Sequence, residues 1–473
     1  MAQQTCDLGL IGLGTMGRNL ALNIADHGFT VAVYNRTAER TREFMAQAGG
    51  AAKIRAGYSL KEFTALLKLP RAVLLLVSAG PPVDAVIDEL LPYLQPGDLV
   101  IDSGNSHFTD TDRRGKALAD LGLLFLGLGI SGGEYGARHG PSLMPGGPPE
   151  AYARVRPILE AAAAQVNGEP CVAYLGRGSA GHYVKMVHNG IEYALMQLLA
   201  ETYDLMKRGL RLTPREMQGV YARWNKTELS SYLVEITARI FQVQDPQTGS
   251  PLVEMILDAA KQKGTGKWTS WDAMDLQVPT PTIDTAVMMR DLSGYQEERE
   301  EAARLLPGPR HVFEGDKKRF LGKLKNALYA AMIVAYAQGL ALLKRASHTY
   351  AYGLDLEAVA RIWRGGCIIR AALLEHVRAA FRNQPELPNL LLDPFLGKEL
   401  AGRQADLRDL VCAAAELGVP APAFMVSLAY VDAYRSARLP ANLTQAQRDY
   451  FGAHTYQRLD LPGTFHTHWP EED

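Results

Sequence analysis

A parallel α/β domain, then a large all-helical domain and a C-terminal tail, is the architecture this sequence predicts. Three observations carry it. Residues 1–180 alternate short apolar runs with amphipathic segments, the pattern of strands joined by crossover helices. A glycine-rich turn directly follows the first apolar run. From Gly181 to Arg438, alanine- and leucine-rich helical periodicity takes over and strand signals nearly vanish.

The first strand is read over Asp7–Ile11, followed by the glycine turn and a helix through Ala25. Further strands are expected at Thr30–Tyr34, Ala72–Val77, Leu99–Ile101, Leu123–Leu128 and Cys171–Leu175. The turn Gly176–Gly181 marks the boundary, giving domains at residues 1–180 and 181–440 and a tail at 441–473. The helical part looks duplicated. A helix over Val184–Gly209 ends in Lys207-Arg208 and precedes Val220–Trp224; a helix over Leu321–Ala346 ends in Lys344-Arg345 and precedes Val359–Trp363. The tail carries Tyr450, Phe451, Tyr456, Phe465 and Trp469. That is too much apolar surface for a solvated end, so the tail is expected to dock, with another subunit as one candidate surface.

A chain of 473 residues, 47% hydrophobic and 21% charged, can bury several cores. Its net charge of −1 gives no electrostatic footprint for nucleic acid or an anionic membrane. Cys6, Cys171, Cys367 and Cys412 are far apart and form no C-x-x-C pair, so neither a disulfide framework nor a metal site is expected. No apolar run is read as long enough to span a membrane, the longest being Ala72–Val77. With no signal-peptide pattern at the N-terminus, a cytoplasmic protein is expected.

Gly12-Leu13-Gly14-Thr15-Met16-Gly17 sits between a strand and a helix. In that context the glycines let backbone approach a pyrophosphate at the helix N-terminus, as in a Rossmann-like dinucleotide site. The second strand ends Asn35-Arg36-Thr37. An arginine there, in place of an acidic residue, suits the 2′-phosphate of NADP. Asn105 follows the Leu99–Ile101 strand at the sheet's carboxyl edge, where such folds bind ligands. The run around Ser131, Gly132 and Gly133 offers free N–H groups that suit an anion, or is a plain flexible loop.

The most informative stretch is Lys185 to Glu192. At about 100° per residue, Lys185, His188, Asn189 and Glu192 share one helical arc beside an apolar one of Val184, Val187, Ile191, Leu195 and Leu198. The amine and the carboxylate stand two turns apart, about 10 Å along the axis. That leaves room for a small substrate between a proton acceptor and a proton donor. In the second helical copy Gly322 and Tyr329 fall where Lys185 and Glu192 would, so the helix does not need the pair in order to form.

These segments resemble the 6-phosphogluconate dehydrogenase family over nearly the whole chain. The likeness rests on Gly12–Asn19, Asn35–Thr37, Ser131–Glu134, Gly140–Gly147, Gly181–Tyr193, Gln262–Thr269 and Gln447–His454. It implies NADP-dependent oxidation and metal-free decarboxylation of 6-phospho-D-gluconate to ribulose 5-phosphate, with Lys185 as base and Glu192 as acid. It also implies that Asn105, Ser131, Gly132, Gly133, His188 and Asn189 hold the sugar acid, and that Tyr193, Lys263, Arg290 and Arg448 hold its phosphate. Arg448 and His454 would come from the tail of the partner in a homodimer. For the coenzyme it implies Gly12 to Gly17, Asn35, Arg36, Thr37, Val77, Ser78, Ala79 and Asn105. Ser78 stands where the family commonly has a lysine, which leaves coenzyme preference more open than the reaction. The competing functions are another β-hydroxyacid dehydrogenase, which usually lacks the duplicated helical domain and the tail, and a non-catalytic metabolite-binding relative, which would be expected to lose Lys185 or Glu192.

Overall fold

The computed structural model describes residues 5–48, 53–309 and 311–469. Seven strands form one sheet: β1 (Leu8–Ile11), β2 (Val31–Tyr34), β3 (Ile54–Ala56), β4 (Ala72–Leu75), β5 (Leu99–Asp102), β6 (Leu124–Ser131) and β7 (Ser142–Gly146). Their order is β3-β2-β1-β4-β5-β6-β7. The first six are parallel, and β7 runs antiparallel to β6 with Ser131 opposite Ser142. β1, β4 and β5 are buried at every position, as unbroken apolar strands covered on both faces must be. The chain order reverses between β1 and β4, which opens the crevice where doubly wound sheets take their ligands.

One strand expectation is corrected here. Cys171–Leu175 is no strand of the sheet. It lies extended beside β7, held by Leu143 N–H to Cys171 O at 2.9 Å, Leu175 N–H to Pro145 O at 2.9 Å and one bridge at Val172. β3 and β7 carry little sequence signal of their own, because one has three residues and the other contains Pro145 and Gly146.

The helices that shape the site and its surroundings are α1 (Thr15–Asp26), α2 (Ala38–Gln47), α3 (Phe108–Asp120), α4 (Ala180–Asp204), α5 (Thr265–Asp275), α6 (Pro281–Ser293), α7 (Lys317–Thr349), α8 (Pro394–Leu417) and α9 (Ala441–Gly452). α7 and α8 follow ordinary capping chemistry. Asp316 accepts from Lys318 and Arg319 N–H at the start of α7, Asp393 caps α8, and α8 stops at Gly418 with φ 66°. The Lys207-Arg208 end of the first helical copy is a π-helical turn over Leu205–Gly209 rather than ordinary helix.

α4 is the centre of the molecule's larger unit, which extends to Ser427. It packs on β6, β7, α5, α6 and α7, and nineteen of its 25 residues are buried. A side chain at Gly190 would strike Thr269 of α5, and one at Gly339 would strike Ile191, so backbones approach closely on both sides. α7 corrects the reading that no segment is long and apolar enough to cross a membrane. It has 33 residues and a mean hydropathy of 1.5 over its most apolar window, but 89% of that window is buried against protein, as a core helix would be.

The smaller unit, Leu428–Asp473, contains α9 and the extended tail. The buried Asp449 carboxylate organises it by accepting from Thr455 N–H, Thr467 N–H, His466 Nδ1 and Trp469 Nε1 at 2.9–3.1 Å. Pro470 to Asp473, the end of the tail domain, lie outside the described residues.

Candidate active site

β6 and α4 build the site by their periodicities. Residues 127, 129 and 131 of β6 point to one face, and there the first two are glycines. A Cβ on Gly127 would meet the His182 ring, and one on Gly129 would sit 2.5 Å from Cβ of Lys185. With no side chains in between, α4 lies directly on the strand. Ser131, the third residue of the same face, then reaches His188, with Oγ 3.3 Å from Nε2.

The polar arc of α4 closes into a network. Lys185 Nζ donates to Asn189 Oδ1 at 2.8 Å, and His188 Nδ1 lies 3.1 Å from the same oxygen. An amide oxygen can only accept, so Nδ1 carries the imidazole proton and Nε2 accepts from the Ser131 hydroxyl. Burial, reinforced by Lys185, pushes the His188 pKa well below the usual histidine range. His188 is therefore neutral, and the 3.7 Å approach of Glu192 Oε2 to its Nδ1 is no ion pair. Trp363 packs edge-on against the imidazole with ring centroids 5.6 Å apart.

Burial also moves the two ends of the arc, in opposite directions. It lowers the pKa of Lys185, a shift that Glu192 and Cys367 partly oppose. It raises the pKa of Glu192 against the pull of Lys185 and Arg290. Both groups are pushed toward their uncharged forms.

One helical position past Glu192, Tyr193 lies under the Arg290 guanidinium, which is 3.4 Å from the ring centroid. Tyr193 also packs against Gly266, where a side chain would collide with its ring. Burial lowers the Arg290 pKa. Lys263 is exposed two residues before α5. Gly132 and Gly133 take φ of 128° and 61°, and a Cβ at Gly132 would strike the carbonyl of Gly366. Only glycine fits that turn.

Asn105 is exposed at the carboxyl end of β5. Its loop is shaped by Asp102, which accepts from Gly104 N–H at 3.0 Å, Ser106 Oγ at 2.7 Å and Arg114 Nη1 at 3.2 Å.

At the crevice beside β1, Gly12, Gly14, Asn35, Arg36, Thr37, Val77 and Ser78 line one cleft of 580 Å³. Gly12 has φ 106°, and a side chain there would collide with the Leu76 carbonyl; one on Gly17 would collide with the Gly12 carbonyl. Asn35 Oδ1 accepts from Leu13 N–H at 3.1 Å, which ties the glycine turn to the end of β2. The Leu13 side chain is buried in the core, and Met16 packs partly against it, so these two offer a coenzyme mainly their backbone. Thr15 and Gly14 border an adjoining cleft of 660 Å³, and Ala79 is half-buried just past β4. The donor set of backbone turn, Asn35 and Arg36 suits a phosphorylated dinucleotide.

Arg448 and His454 belong to the smaller unit. Both are exposed; Arg448 Nη1 donates to Gln445 at 3.1 Å, and His454 packs edge-on to Phe451. Sequence reasoning passed over Arg40, which lines both clefts, and Trp363 behind His188. The spacing Asn35-Arg36-x-x-x-Arg40 is a signal for the first. Nothing local marks the second. Among the described residues no group of three or more His, Cys, Asp or Glu could hold a metal ion.

Comparison with known proteins agrees with this geometry. The profile of the NAD binding domain of 6-phosphogluconate dehydrogenase matches residues 7–176, and that of its C-terminal domain matches residues 181–469. The decarboxylating 6-phosphogluconate dehydrogenase of Synechococcus elongatus is 56% identical over 98% of each chain. The NADP(+)-dependent decarboxylating enzyme of Bacillus subtilis is 52% identical over 98% of each. A solved structure of the Plasmodium falciparum enzyme, studied as apo form and with NADP+ and 6-phosphogluconate, is 45% identical. It superimposes with a TM-score of 0.95 over 98% of this chain and 100% of that one. With both profiles matched in order and relatives alike from end to end, the chain belongs to the 6-phosphogluconate dehydrogenase family.

Proposed function

We propose that this chain oxidises 6-phospho-D-gluconate at C3 with NADP and decarboxylates the 3-keto acid to D-ribulose 5-phosphate and CO₂. The observation that carries this reading is the pair Lys185 and Glu192, on one arc of α4, with proton affinities displaced in opposite directions by burial. Groups pushed apart in this way let one site run a base step and an acid step at one pH.

NADP, when bound, supplies the hydride acceptor. Lys185, held toward its uncharged form, takes the C3 hydroxyl proton as hydride leaves that carbon. Returned from Lys185 to the new carbonyl oxygen, the proton lets the electron pair freed by departing CO₂ settle in an enediol. Glu192, held toward its acid form, protonates the carbon that lost CO₂, which becomes C1 of the product, while Lys185 takes back the enediol hydroxyl proton. Asn189 orients the Lys185 amine and fixes the tautomer of His188, whose Nε2 accepts from the Ser131 hydroxyl. Asn105, Ser131, Gly132, Gly133, His188 and Asn189 hold the sugar acid; Tyr193, Lys263 and Arg290 hold its phosphate.

In this reading the active unit is a homodimer, and Arg448 and His454 complete the partner's site. Support comes from Trp271, Met274, Met288, Leu292 and Tyr295, large apolar side chains left exposed on α5 and α6 and just after them. Four free cysteines, three of them buried, suit a reducing cytoplasmic setting. The test is the purified chain with 6-phosphogluconate and either coenzyme. NADPH and CO₂ should form in equal amounts. Reduced coenzyme without CO₂ would indicate a simple hydroxyacid dehydrogenase, and neither product a non-catalytic relative.

A further inference from the structure

Four arginines surround the end of β2, and their pairing separates them. Arg18 is committed, donating to Leu13 O at 2.9 Å and facing Glu43 at 3.4 Å. Arg42 is committed as well, with Glu39 at 3.2 Å and the Tyr58 ring 5.4 Å from its guanidinium. Arg36 and Arg40 make no side-chain hydrogen bond or ion pair among the described residues, and both are exposed. Both line the 580 Å³ cleft with Gly12, Gly14 and Ser78, and Glu89 is the one acidic residue on its wall. Arg40 N–H bonds back to Thr37 O at 3.1 Å, so the chain turns tightly and brings Arg40 round onto the cleft that Arg36 already faces. Arg40 also borders the adjoining cleft beside Gly14 and Thr15.

We propose that Arg40 is a second determinant of coenzyme choice: with Arg36 it clamps the 2′-phosphate of NADP and supplies the cation that the short, uncharged Ser78 does not. This rests on the NADP reading above. A phosphate dianion takes charge-assisted hydrogen bonds from two guanidinium groups more strongly than from one, and neither group must leave an ion pair to do so.

The test is calorimetric binding of 2′,5′-ADP and 5′-AMP, which share the adenosine and differ at the 2′-phosphate. Arg40→Ala should weaken 2′,5′-ADP roughly tenfold or more and leave 5′-AMP within about twofold. Adding Ser78→Lys to Arg40→Ala should recover most of the loss. An Arg40→Ala loss below about threefold, or equal losses on both probes, overturns the proposal, and failure of the double variant to recover overturns the exchange of roles with Ser78. If the unmodified protein does not discriminate between the probes, the NADP reading itself fails. If discrimination collapses in Arg36→Ala but survives in Arg40→Ala, only the role of Arg40 fails.

Discussion

Lys185 and Glu192 stand on one arc, and the same desolvation that pushes the amine toward its neutral form pushes the carboxyl toward its acid form. In the proposed mechanism activity needs Lys185 unprotonated, so it should fall as pH drops through the lowered lysine pKa. It needs Glu192 protonated, so it should fall again as pH rises through the raised glutamate pKa. The profile of kcat should therefore be a bell whose limbs belong to these two groups. Glu192→Gln should bind substrate nearly as well, lose most turnover, and lose the alkaline limb from whatever rate remains. An alkaline limb unchanged in that variant would assign it to another group. At the coenzyme end, Arg36→Ala should raise the KM for NADP far more than that for NAD, because only NADP offers the phosphate that rewards a guanidinium. Equal use of both coenzymes by the unmodified protein would count against Arg36. The arc could be read from the sequence because it depends only on helical period. Arg290 stacked over Tyr193 could not, since about a hundred residues separate them and only the packing of α6 against α4 brings them together.

At the scale of elements, the site depends on α4 lying flat on β6, which Gly127 and Gly129 permit. Gly129→Ala would place a methyl group 2.5 Å from Cβ of Lys185 and 3.1 Å from the Gly181 carbonyl. Overpacking of this kind costs about 1–3 kcal/mol, and here it also displaces the base. The variant should melt several degrees lower and lose kcat, while coenzyme binding beside β1 stays near normal. Full activity in Gly129→Ala would show that the helix position is not critical. β1, β2, β4 and β5 were legible because buried parallel strands are unbroken apolar runs. β3 and β7 were not: each is specified by its neighbour in the sheet, not by its own composition. The Cys171–Leu175 segment has the composition of a strand but touches β7 through only a few bonds, so its β-propensity was no guide. α7 was misjudged for a related reason, since apolarity on every side marks a helix buried in protein as well as one in lipid.

At the scale of the whole molecule, Arg448 and His454 sit in the smaller unit. Asp449 draws the residues after α9 into a compact knot, and its carboxyl pKa is pulled down to about 2, with bonds from His466, Thr467, Trp469 and Thr455 outweighing desolvation. A carboxylate whose folded pKa lies below its unfolded value contributes stability that is complete above the unfolded pKa and is lost as pH falls through the folded one. The knot should therefore loosen between about pH 4 and pH 2, and Asp449→Asn should loosen it at neutral pH, read as protease sensitivity after α9. If the knot presents Arg448 and His454 to a partner, mixing inactive Lys185→Met with inactive Arg448→Ala chains should restore part of the activity, because a heterodimer holds one site with both residues intact. No recovery, in a mixture shown to exchange subunits, would put Arg448 in its own chain's site or outside it. The aromatic content of the tail was legible; its fold around one aspartate was not, because the four donors are spread over 15 residues with no periodicity.

In the proposed mechanism one amine serves both halves of the reaction. The decisive measurement follows NADPH and CO₂ together in Lys185→Met, with coenzyme and substrate binding verified. Both products should fall together to well below a tenth of the unmodified rate. Retention of a tenth or more of either product would contradict the assignment of Lys185 as the base.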